Sequence, residues 1–253
     1  MSGASLELRG VGLAYGRRQV LEGVDLTIRA GERICLLGPN GAGKSSLLRC
    51  ITGLAEHRQG AVLLDGVPLE EHSRAAIARR VAVVPGDVRL PFATLVREVV
   101  ALGRLPHEHP LLGPRPVDIT AVEAAMERVR IAHLADRDCR ELSLGERQLV
   151  VVAMAVAQGG GLLILDEPTV HLDLRHQVEV MRLLVDLSEN DGLTIVAVLH
   201  DLNLAAHFFG RVVLLDGGRI VADGTPGDVL TPERIRTVYG LDDASLPLAI
   251  PSR

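Results

Sequence analysis

The stretch GPNGAGKSS at residues 38–46 decides the fold of this chain. It matches the pattern G-x-x-x-x-G-K-[ST] in full, and it lies between an apolar run at 33–37 and a helical pattern at 46–51. Such glycines let the backbone curl so that successive N–H groups point at phosphate oxygens. The predicted phosphate-binding residues are Gly38, Pro39, Asn40, Gly41, Ala42, Gly43, Lys44, Ser45 and Ser46.

Two residues of this stretch have a specific chemistry. Lys44 places a positive charge at the β- and γ-phosphates of a nucleotide, and the Ser45 hydroxyl is a ligand for Mg²⁺. The alternative is a glycine-rich turn with an incidental lysine, which the complete match and its context disfavour. The stretch therefore predicts a site for a nucleoside triphosphate and magnesium.

A second apolar run, at 162–165, ends in Asp166 and Glu167. If this run forms a strand beside the one at 33–37, Asp166 reaches the magnesium ion as a ligand. Glu167 then polarises a water molecule for in-line attack on the γ-phosphate. A solvated strand end is the alternative for Glu167. Together with the phosphate-binding stretch, the two acids indicate nucleotide hydrolysis.

The arrangement of the apolar runs predicts the fold class. The later runs are continuous and separated by helical patterns, which is typical of βαβ units and a parallel sheet. The first thirty residues alternate and are rich in turns, which favours a small antiparallel sheet. We predict one α/β domain over 1–253: a P-loop NTPase core with a mainly parallel sheet, an N-terminal antiparallel β subdomain and an inserted helical subdomain at about 87–155. The predicted helices of that subdomain are Thr94–Leu102, Ile119–Val129 and Glu146–Ala157, and residues 216–219 predict a hairpin.

Composition excludes several classes of function. The net charge of −5 gives no basic excess for nucleic acid, and the N-terminus lacks the layout of a signal peptide.

The apolar tract at 149–165 is interrupted by Gln158 and by glycines at 159–161, and it is shorter than the roughly 20 residues of a membrane span. We expect a buried helix, a turn and a buried strand there. The three cysteines share no ligand-like spacing, so we expect buried thiols and a reducing cytoplasm.

The stretch LSLGERQ at 142–148 predicts the start of a helix. Ser143 and Glu146 have the S-x-x-E spacing of a capping box, immediately before an apolar run. A capped helix N-terminus is also a favourable position for an anion.

With these motifs, the sequence resembles the ATP-binding subunits of ABC transporters over essentially the whole chain. The stretch 142–148 is similar to the family signature LSGGQ, Leu172-Asp173 to the family's aspartate loop, and His200 to its switch histidine. Tyr15 lies where the family has an aromatic residue that stacks on adenine, although ordinary surface packing is an alternative.

The resemblance implies a mechanism. Two subunits pack head to tail, so that Ser143, the Gly145 N–H group and Asp173 bind ATP held by the other subunit's phosphate loop. It implies a homodimer with two Mg-ATP, with Lys44, Glu167 and His200 as catalytic residues. The partners are transmembrane permease subunits and, indirectly, a solute-binding protein. The chain is then a peripheral subunit at the cytoplasmic face of the plasma membrane.

The type of transporter is also suggested by resemblance. Residues 96–107 and 200–206 are similar to importers of iron–siderophore, haem and cobalamin. His107 and His109 lie in the same region, but two histidines in a proline-rich loop make an incomplete metal site.

Three residues depart from the family pattern. Leu144 replaces the first signature glycine, which predicts a weakened signature, and Leu149 replaces a frequent arginine. Gly86 stands where the family has a glutamine that approaches Mg²⁺ and the attacking water. The hypothesis from the sequence is slow or poorly coupled hydrolysis that a glutamine at position 86 raises. The alternative function is a degenerate nucleotide-binding regulator with little or no hydrolysis.

Overall fold

The secondary structure alternates strands and helices along most of the chain. The structure, a computed structural model, describes residues 3–55, 59–86, 93–107 and 113–242. The strands and helices are β1 (Leu6–Tyr15), β2 (Arg18–Ile28), β3 (Arg33–Leu37), α1 (Lys44–Ile51), β4 (Gln59–Leu64), β5 (Val67–Pro68), α2 (Arg74–Arg80), β6 (Val81–Val84), α3 (Val96–Ala101), α4 (Pro116–Arg128), α5 (Leu144–Ala157), β7 (Leu162–Asp166), α6 (Leu174–Asp191), β8 (Thr194–Val198), α7 (Leu202–Phe208), β9 (Arg211–Asp216), β10 (Arg219–Gly224), α8 (Pro226–Val229) and α9 (Pro232–Tyr239).

A six-stranded sheet holds the predicted catalytic residues at one edge. Its strand order is β10-β9-β3-β8-β7-β6, and all strands except β10 are parallel. The carboxyl ends of parallel strands meet at one edge of the sheet, which is where ligands bind in folds of this class. The phosphate loop follows β3, Asp166 ends β7, and His200 lies just after β8.

Both faces of this sheet are buried, which explains its continuous apolar strands. Along β3, Ile34 and Leu36 belong to a core shared with the antiparallel sheet, whereas Cys35 and Leu37 belong to a core shared with the helices. The antiparallel sheet has the order β2-β1-β4-β5. Its β1–β2 hairpin pairs Tyr15 with Arg18 across the turn.

The helices α3, α4 and α5 pack together beside the sheet. Buried residues of all three belong to the same apolar core as β7 and β8. A buried ion pair between Arg104 and Asp118, with Nη2 and Oδ1 2.9 Å apart, fixes the segment after α3 to α4. Arg128 at the end of α4 contacts Asp191 of α6, with Nε and Oδ2 2.7 Å apart. Among the residues that the structure describes, none of the helices combines the length and apolar character that crossing a bilayer requires.

The predicted fold class is confirmed: the core is α/β with a mainly parallel sheet, and the first residues form an antiparallel sheet. The hairpin at 216–219 is confirmed, with Gly217 and Gly218 both at positive φ as a type I′ turn requires. The tract at 149–165 is a buried helix, a turn and a buried strand as expected. All three cysteines are buried and free.

The bounds of all three predicted helices differ from the prediction, and α5 begins at Leu144, two residues before the predicted Glu146. The helix expected at Thr94–Leu102 is shorter, since α3 spans Val96–Ala101 and a 3-10 helix follows at Leu102–His107. Within that 3-10 helix Gly103 lies against α5 so closely that a Cβ there would be 2.1 Å from the Met154 carbonyl oxygen. The second helix, α4, begins three residues early, because Pro116 suits the first helical position. The range 87–155 includes 87–92 and 108–112, which lie outside the described residues.

The expectation that Asp166 lies on a strand directly beside β3 is wrong. Strand β8 lies between β3 and β7 and pairs with both. The parallel register still brings the end of β7 level with the end of β8, since Asp166 pairs with Val198. The inserted strand places His200 between the phosphate loop and the two acids.

Candidate active site

The phosphate loop joins β3 to α1 in a conformation that depends on glycine. Gly43 precedes the helix with φ of 104°, a value that favours glycine, and no side chain caps the N-terminus of α1. Gly38 lies so close to β9 that a Cβ there would be 2.2 Å from the Leu215 carbonyl oxygen. The uncapped N–H groups of α1 can bind phosphate oxygens.

Lys44 is folded back onto this loop and is only 6% exposed. Its Nζ donates hydrogen bonds to the carbonyl oxygens of Gly38, at 2.7 Å, and Pro39, at 3.1 Å. Burial lowers the pKa of Lys44, and the nearby carboxylates of Glu167 and Asp166 partly offset this effect. A triphosphate would add negative charge beside this buried ammonium group, beyond that of the two carboxylates.

Asp166 and Ser45 fit a magnesium ion. The Oδ1 atom of Asp166 is buried and has no hydrogen-bond partner, and burial raises the pKa of this carboxyl group. The Ser45 side chain lies within hydrogen-bonding distance of Asp166 and partly lowers that pKa. Two oxygen donors of this kind, completed by phosphate and water, suit Mg²⁺. No cluster of three or more histidine, cysteine or acidic residues that could hold a metal occurs in the described part of the chain.

Glu167 is held by His200 from the neighbouring strand. The His200 Nε2 and Glu167 Oε1 atoms are 2.5 Å apart, and the Glu167 N–H donates to the Val198 carbonyl oxygen at 3.1 Å. Glu167 has φ of 58°, which is unfavourable for a residue other than glycine. Strained backbone of this kind clusters at active sites, where the surrounding structure enforces it. The contact orients the carboxylate of Glu167 toward the end of the sheet.

Two adjoining cavities are lined by most of the predicted site residues. The first, of about 400 Å³, is lined by Tyr15, Arg18, Val20, Asn40, Gly41, Gly43, Lys44, Ser45, Ser46 and Glu167. The second, of about 370 Å³, is lined by Ser45, Gly86, Asp166, Glu167, Val170 and His171. Ser45 and Glu167 belong to both, so the two cavities form one cleft along the edge of the sheet. Larger grooves of about 820 and 550 Å³ lie elsewhere and contain no phosphate-loop residue.

The sequence analysis missed Arg18 and Val20 in this cleft. They lie at the start of β2, and Arg18 pairs with Tyr15 across the hairpin turn. The turn residue Gly16 between two alternating runs was the signal that could have placed both side chains beside Tyr15. Tyr15 itself is 48% exposed at the mouth of the cleft, where a planar base can stack on it.

The predicted capping box at the start of α5 is confirmed. Ser143 is the N-cap: its N–H and hydroxyl groups donate to Glu146 Oε2 at 2.8 and 2.9 Å, and its Oγ accepts from the Glu146 N–H. Asp173 caps α6 in the same way and accepts from the His176 N–H at 2.9 Å. Ser143, Gly145 and Asp173 line neither cavity of the cleft. The single chain therefore does not bring them to its own phosphate loop.

Leu144 causes no backbone strain. It is the first residue of α5, it is not among the residues at positive φ, and its side chain is 57% exposed. Backbone strain therefore gives no reason for a weakened signature, and the weakening stays a prediction. Gly145, by contrast, has no room for a side chain, because a Cβ would be 2.3 Å from the ring of His176.

Gly86 directly faces the backbone of the two acids. A Cβ at position 86 would lie 2.5 Å from the Asp166 carbonyl oxygen and 3.3 Å from the Glu167 Cβ. This geometry argues against the sequence-based hypothesis that a glutamine at position 86 raises turnover, which stays an untested prediction. His107 also has an ordinary role, since its Nε2 contacts the Gln158 carbonyl oxygen at 2.7 Å; His109 lies outside the described residues.

A glycine-rich loop between a parallel strand and a helix, with a buried lysine and two acids at the end of another parallel strand, defines a P-loop nucleoside triphosphatase. The family model described as ABC transporter matches residues 21–170. The chain belongs to this family of ATPases, whose members bind ATP, generally with Mg²⁺.

Known proteins are similar in sequence to this chain over nearly its full length. The ferric enterobactin transport ATP-binding protein FepC of Escherichia coli K12 is 38% identical over 99% of this chain and 96% of its own length. The hemin import ATP-binding protein HmuV of Pseudomonas fluorescens Pf-5 is 44% identical over 94% of this chain and 93% of its own. Among solved structures, an inward-facing metal-chelate type ABC transporter superposes with a TM-score of 0.83 at 28% identity, covering 94% of this chain and 90% of that one.

Proposed function

We propose that this chain is the ATP-hydrolysing motor subunit of an importer for an iron–siderophore, haem or cobalamin-type cargo. The observation that supports this most is that Lys44, Ser45, Asp166 and Glu167 line one cleft, while His200 contacts Glu167. Import, rather than another use of ATP, is supported by the names of the full-length relatives.

The residues of the cleft have different roles in ATP binding and hydrolysis. The loop 38–46 binds the triphosphate through its N–H groups, and Lys44 exchanges its contacts with the loop carbonyls for phosphate oxygens. Tyr15 stacks on the adenine, and Arg18 adds a positive charge at the mouth of the cleft. Glu167 accepts a proton from the attacking water, and His200 holds the carboxylate in place and lies within reach of the γ-phosphate.

Ser45 and Asp166 would hold magnesium. The unpartnered Oδ1 of Asp166 and the Ser45 hydroxyl are the protein's oxygen donors. A bound magnesium ion supplies neutralisation of the negative charge on the phosphates. It would add positive charge beside the half-buried Asp166 carboxyl group, whose pKa burial raises despite the nearby charge of Lys44.

The working unit is a homodimer. ATP-binding subunits of importers work as dimers with transmembrane permease partners. In this chain the capped N-terminus of α5 and Asp173 lie outside the cleft of their own chain. In a head-to-tail pair, Ser143, Gly145 and Asp173 complete the ATP site of the second copy, so that ATP binding closes the dimer and hydrolysis opens it.

The membrane partners follow from the same proposal. The closing dimer moves a pair of permease subunits at the cytoplasmic face of the plasma membrane, and a solute-binding protein delivers the cargo on the other side. The degenerate regulator is the less favoured function. Leu144 adds no backbone strain, and no finding on the relatives favours a subunit without hydrolysis.

A steady-state ATPase assay of the purified chain tests the proposal. We expect magnesium-dependent turnover that the Lys44→Ala substitution abolishes, and stimulation when the permease is present in vesicles. Uptake of a ferric siderophore, hemin or cobalamin into those vesicles then identifies the cargo class. ATP binding without turnover in either setting would favour the regulator instead.

A further inference from the structure

His176, which the sequence analysis did not single out, is attached to the loop at 169–173, which ends in the predicted aspartate loop Leu172-Asp173. Its backbone N–H donates to Asp173 Oδ1 at 2.9 Å, and its ring Nδ1 contacts the same oxygen at 2.8 Å. The backbone N–H of His176 is the main cause of the lowered pKa of Asp173. In addition, the Gln177 side chain donates to the Thr169 carbonyl oxygen at 3.3 Å. The loop is thereby fixed to the first turn of α6 at both ends.

The same imidazole ring lies against the signature helix. A Cβ built on Gly145 would be 2.3 Å from Cδ2, 2.6 Å from Cγ and 2.9 Å from Nε2 of His176. The ring therefore fills the space that a side chain at 145 would occupy. The ring is 31% exposed, so it lies at the surface between the two segments rather than in the apolar core.

The two contacts join segments that are far apart in the sequence. Gly145 is in the first turn of α5, which Ser143 caps, whereas Asp173 ends the loop that follows β7. Gly145 and Asp173 themselves line neither cavity of the cleft of their own chain, although Val170 and His171 of the same loop line the second cavity. According to the proposed function, on which this inference rests, both face the nucleotide of the second copy.

We propose that His176 is a positioning residue of the ATP site that two copies share. Its ring sets the spacing between Gly145 and Asp173, so that both segments engage the nucleotide of the partner as one rigid unit. Loss of the ring lets the two segments move separately. ATP bound to the phosphate loop of the same chain is unaffected, because His176 does not line that cleft.

ATP-driven dimer formation is the direct test. In a Glu167→Gln background, which arrests hydrolysis, we expect His176→Ala to weaken the ATP-dependent dimer by about 10–100-fold, the loss that removing a hydrogen bond to a charged group typically causes. ATP affinity of the single chain, measured without magnesium, stays at the parent value.

His207→Ala is the matched control, because His207 is an exposed histidine on α7 outside the site. His176→Asn, which keeps a donor for Asp173, and His176→Phe, which keeps a ring against Gly145, should each give partial recovery.

Mixed dimers test the direction of the effect. When a His176→Ala chain pairs with a Lys44→Ala chain, one shared site combines an intact phosphate loop with an intact signature helix, and the other site has both defects. We expect one tightly held Mg-ATP per mixed dimer. If His176 acted on the ATP of its own chain, no intact site would remain and no ATP would be held.

The outcomes separate this inference from the proposed function. If the Glu167→Gln chain itself forms no ATP-dependent dimer, the proposed function fails. If that dimer forms and His176→Ala dimerises equally well at unchanged melting temperature, the inference is overturned while the function stands. Should the alanine variant not fold, the phenylalanine variant decides: a dimer as strong as the parent's would overturn the link to Asp173.

Discussion

Replacing Gly86 with glutamine should lower ATP turnover, although glutamine is the residue of the family at this position. A Cβ at 86 would lie 2.5 Å from the Asp166 carbonyl oxygen, whereas ordinary contact begins at 3.4 Å. The obstacle is backbone at the end of β7, not the tip of a flexible side chain. Either the segment at 85–86 or the strand end with Asp166 and Glu167 must therefore move by about 1 Å.

The size of the effect follows from that displacement. Forcing an extra group into packed structure costs about 1–3 kcal/mol, and each kcal/mol lowers the melting temperature of a chain of this size by about 2–4 °C. A misplacement of about 1 Å at reacting groups can reduce a rate by about 100-fold. We expect kcat to fall by about 10–100-fold, with ATP affinity little changed, because the nearest atoms to a Cβ at position 86 belong to Asp166 and Glu167 rather than to the phosphate loop.

Two further variants isolate the cause. Gly86→Ala introduces the same Cβ without the amide and should show most of the loss in both turnover and melting temperature. Gly210→Gln is the matched control, because a Cβ at Gly210 meets nothing within 4 Å and its backbone is not left-handed. Steady-state ATPase assays and thermal melts of all three variants provide the comparison. A Gly86→Gln protein with the parent melting temperature and equal or higher turnover would refute the steric reasoning.

Two other substitutions address the acids directly. Glu167→Gln should bind ATP normally and accumulate a stable ATP-bound dimer on size-exclusion chromatography; turnover at the parent rate would remove Glu167 from the role of base. Asp166→Asn should abolish magnesium-dependent turnover yet raise the melting temperature of the nucleotide-free protein near pH 7. Burial raises the pKa of Asp166, so the parent loses stability as the pH rises through that pKa, and the difference should vanish below about pH 4, where the parent is protonated. A difference that persists unchanged in acid would show that charge burial is not its cause.

Several features could be predicted from sequence because each is encoded within a short segment. The phosphate loop is contiguous, and its glycines, lysine and serine specify its geometry locally. The capping box at Ser143 and the hairpin at 216–219 are likewise formed by residues within one turn. The continuous apolar runs indicated strands buried on both faces, and the structure has them in a parallel sheet.

Other features depend on distances between residues that are remote in the chain. Only the tertiary structure determines these features. The insertion of β8 between β3 and β7, the contact of His200 with Glu167, and the packing of His176 on Gly145 have no local signal. The same holds for the missing space at Gly86. A family pattern assigns a residue type to a position, but the room for a side chain is set by whichever backbone packs against it. Close packing leaves few voids, so the space available to a side chain can be judged only from the tertiary structure, in which all of its neighbours are in place.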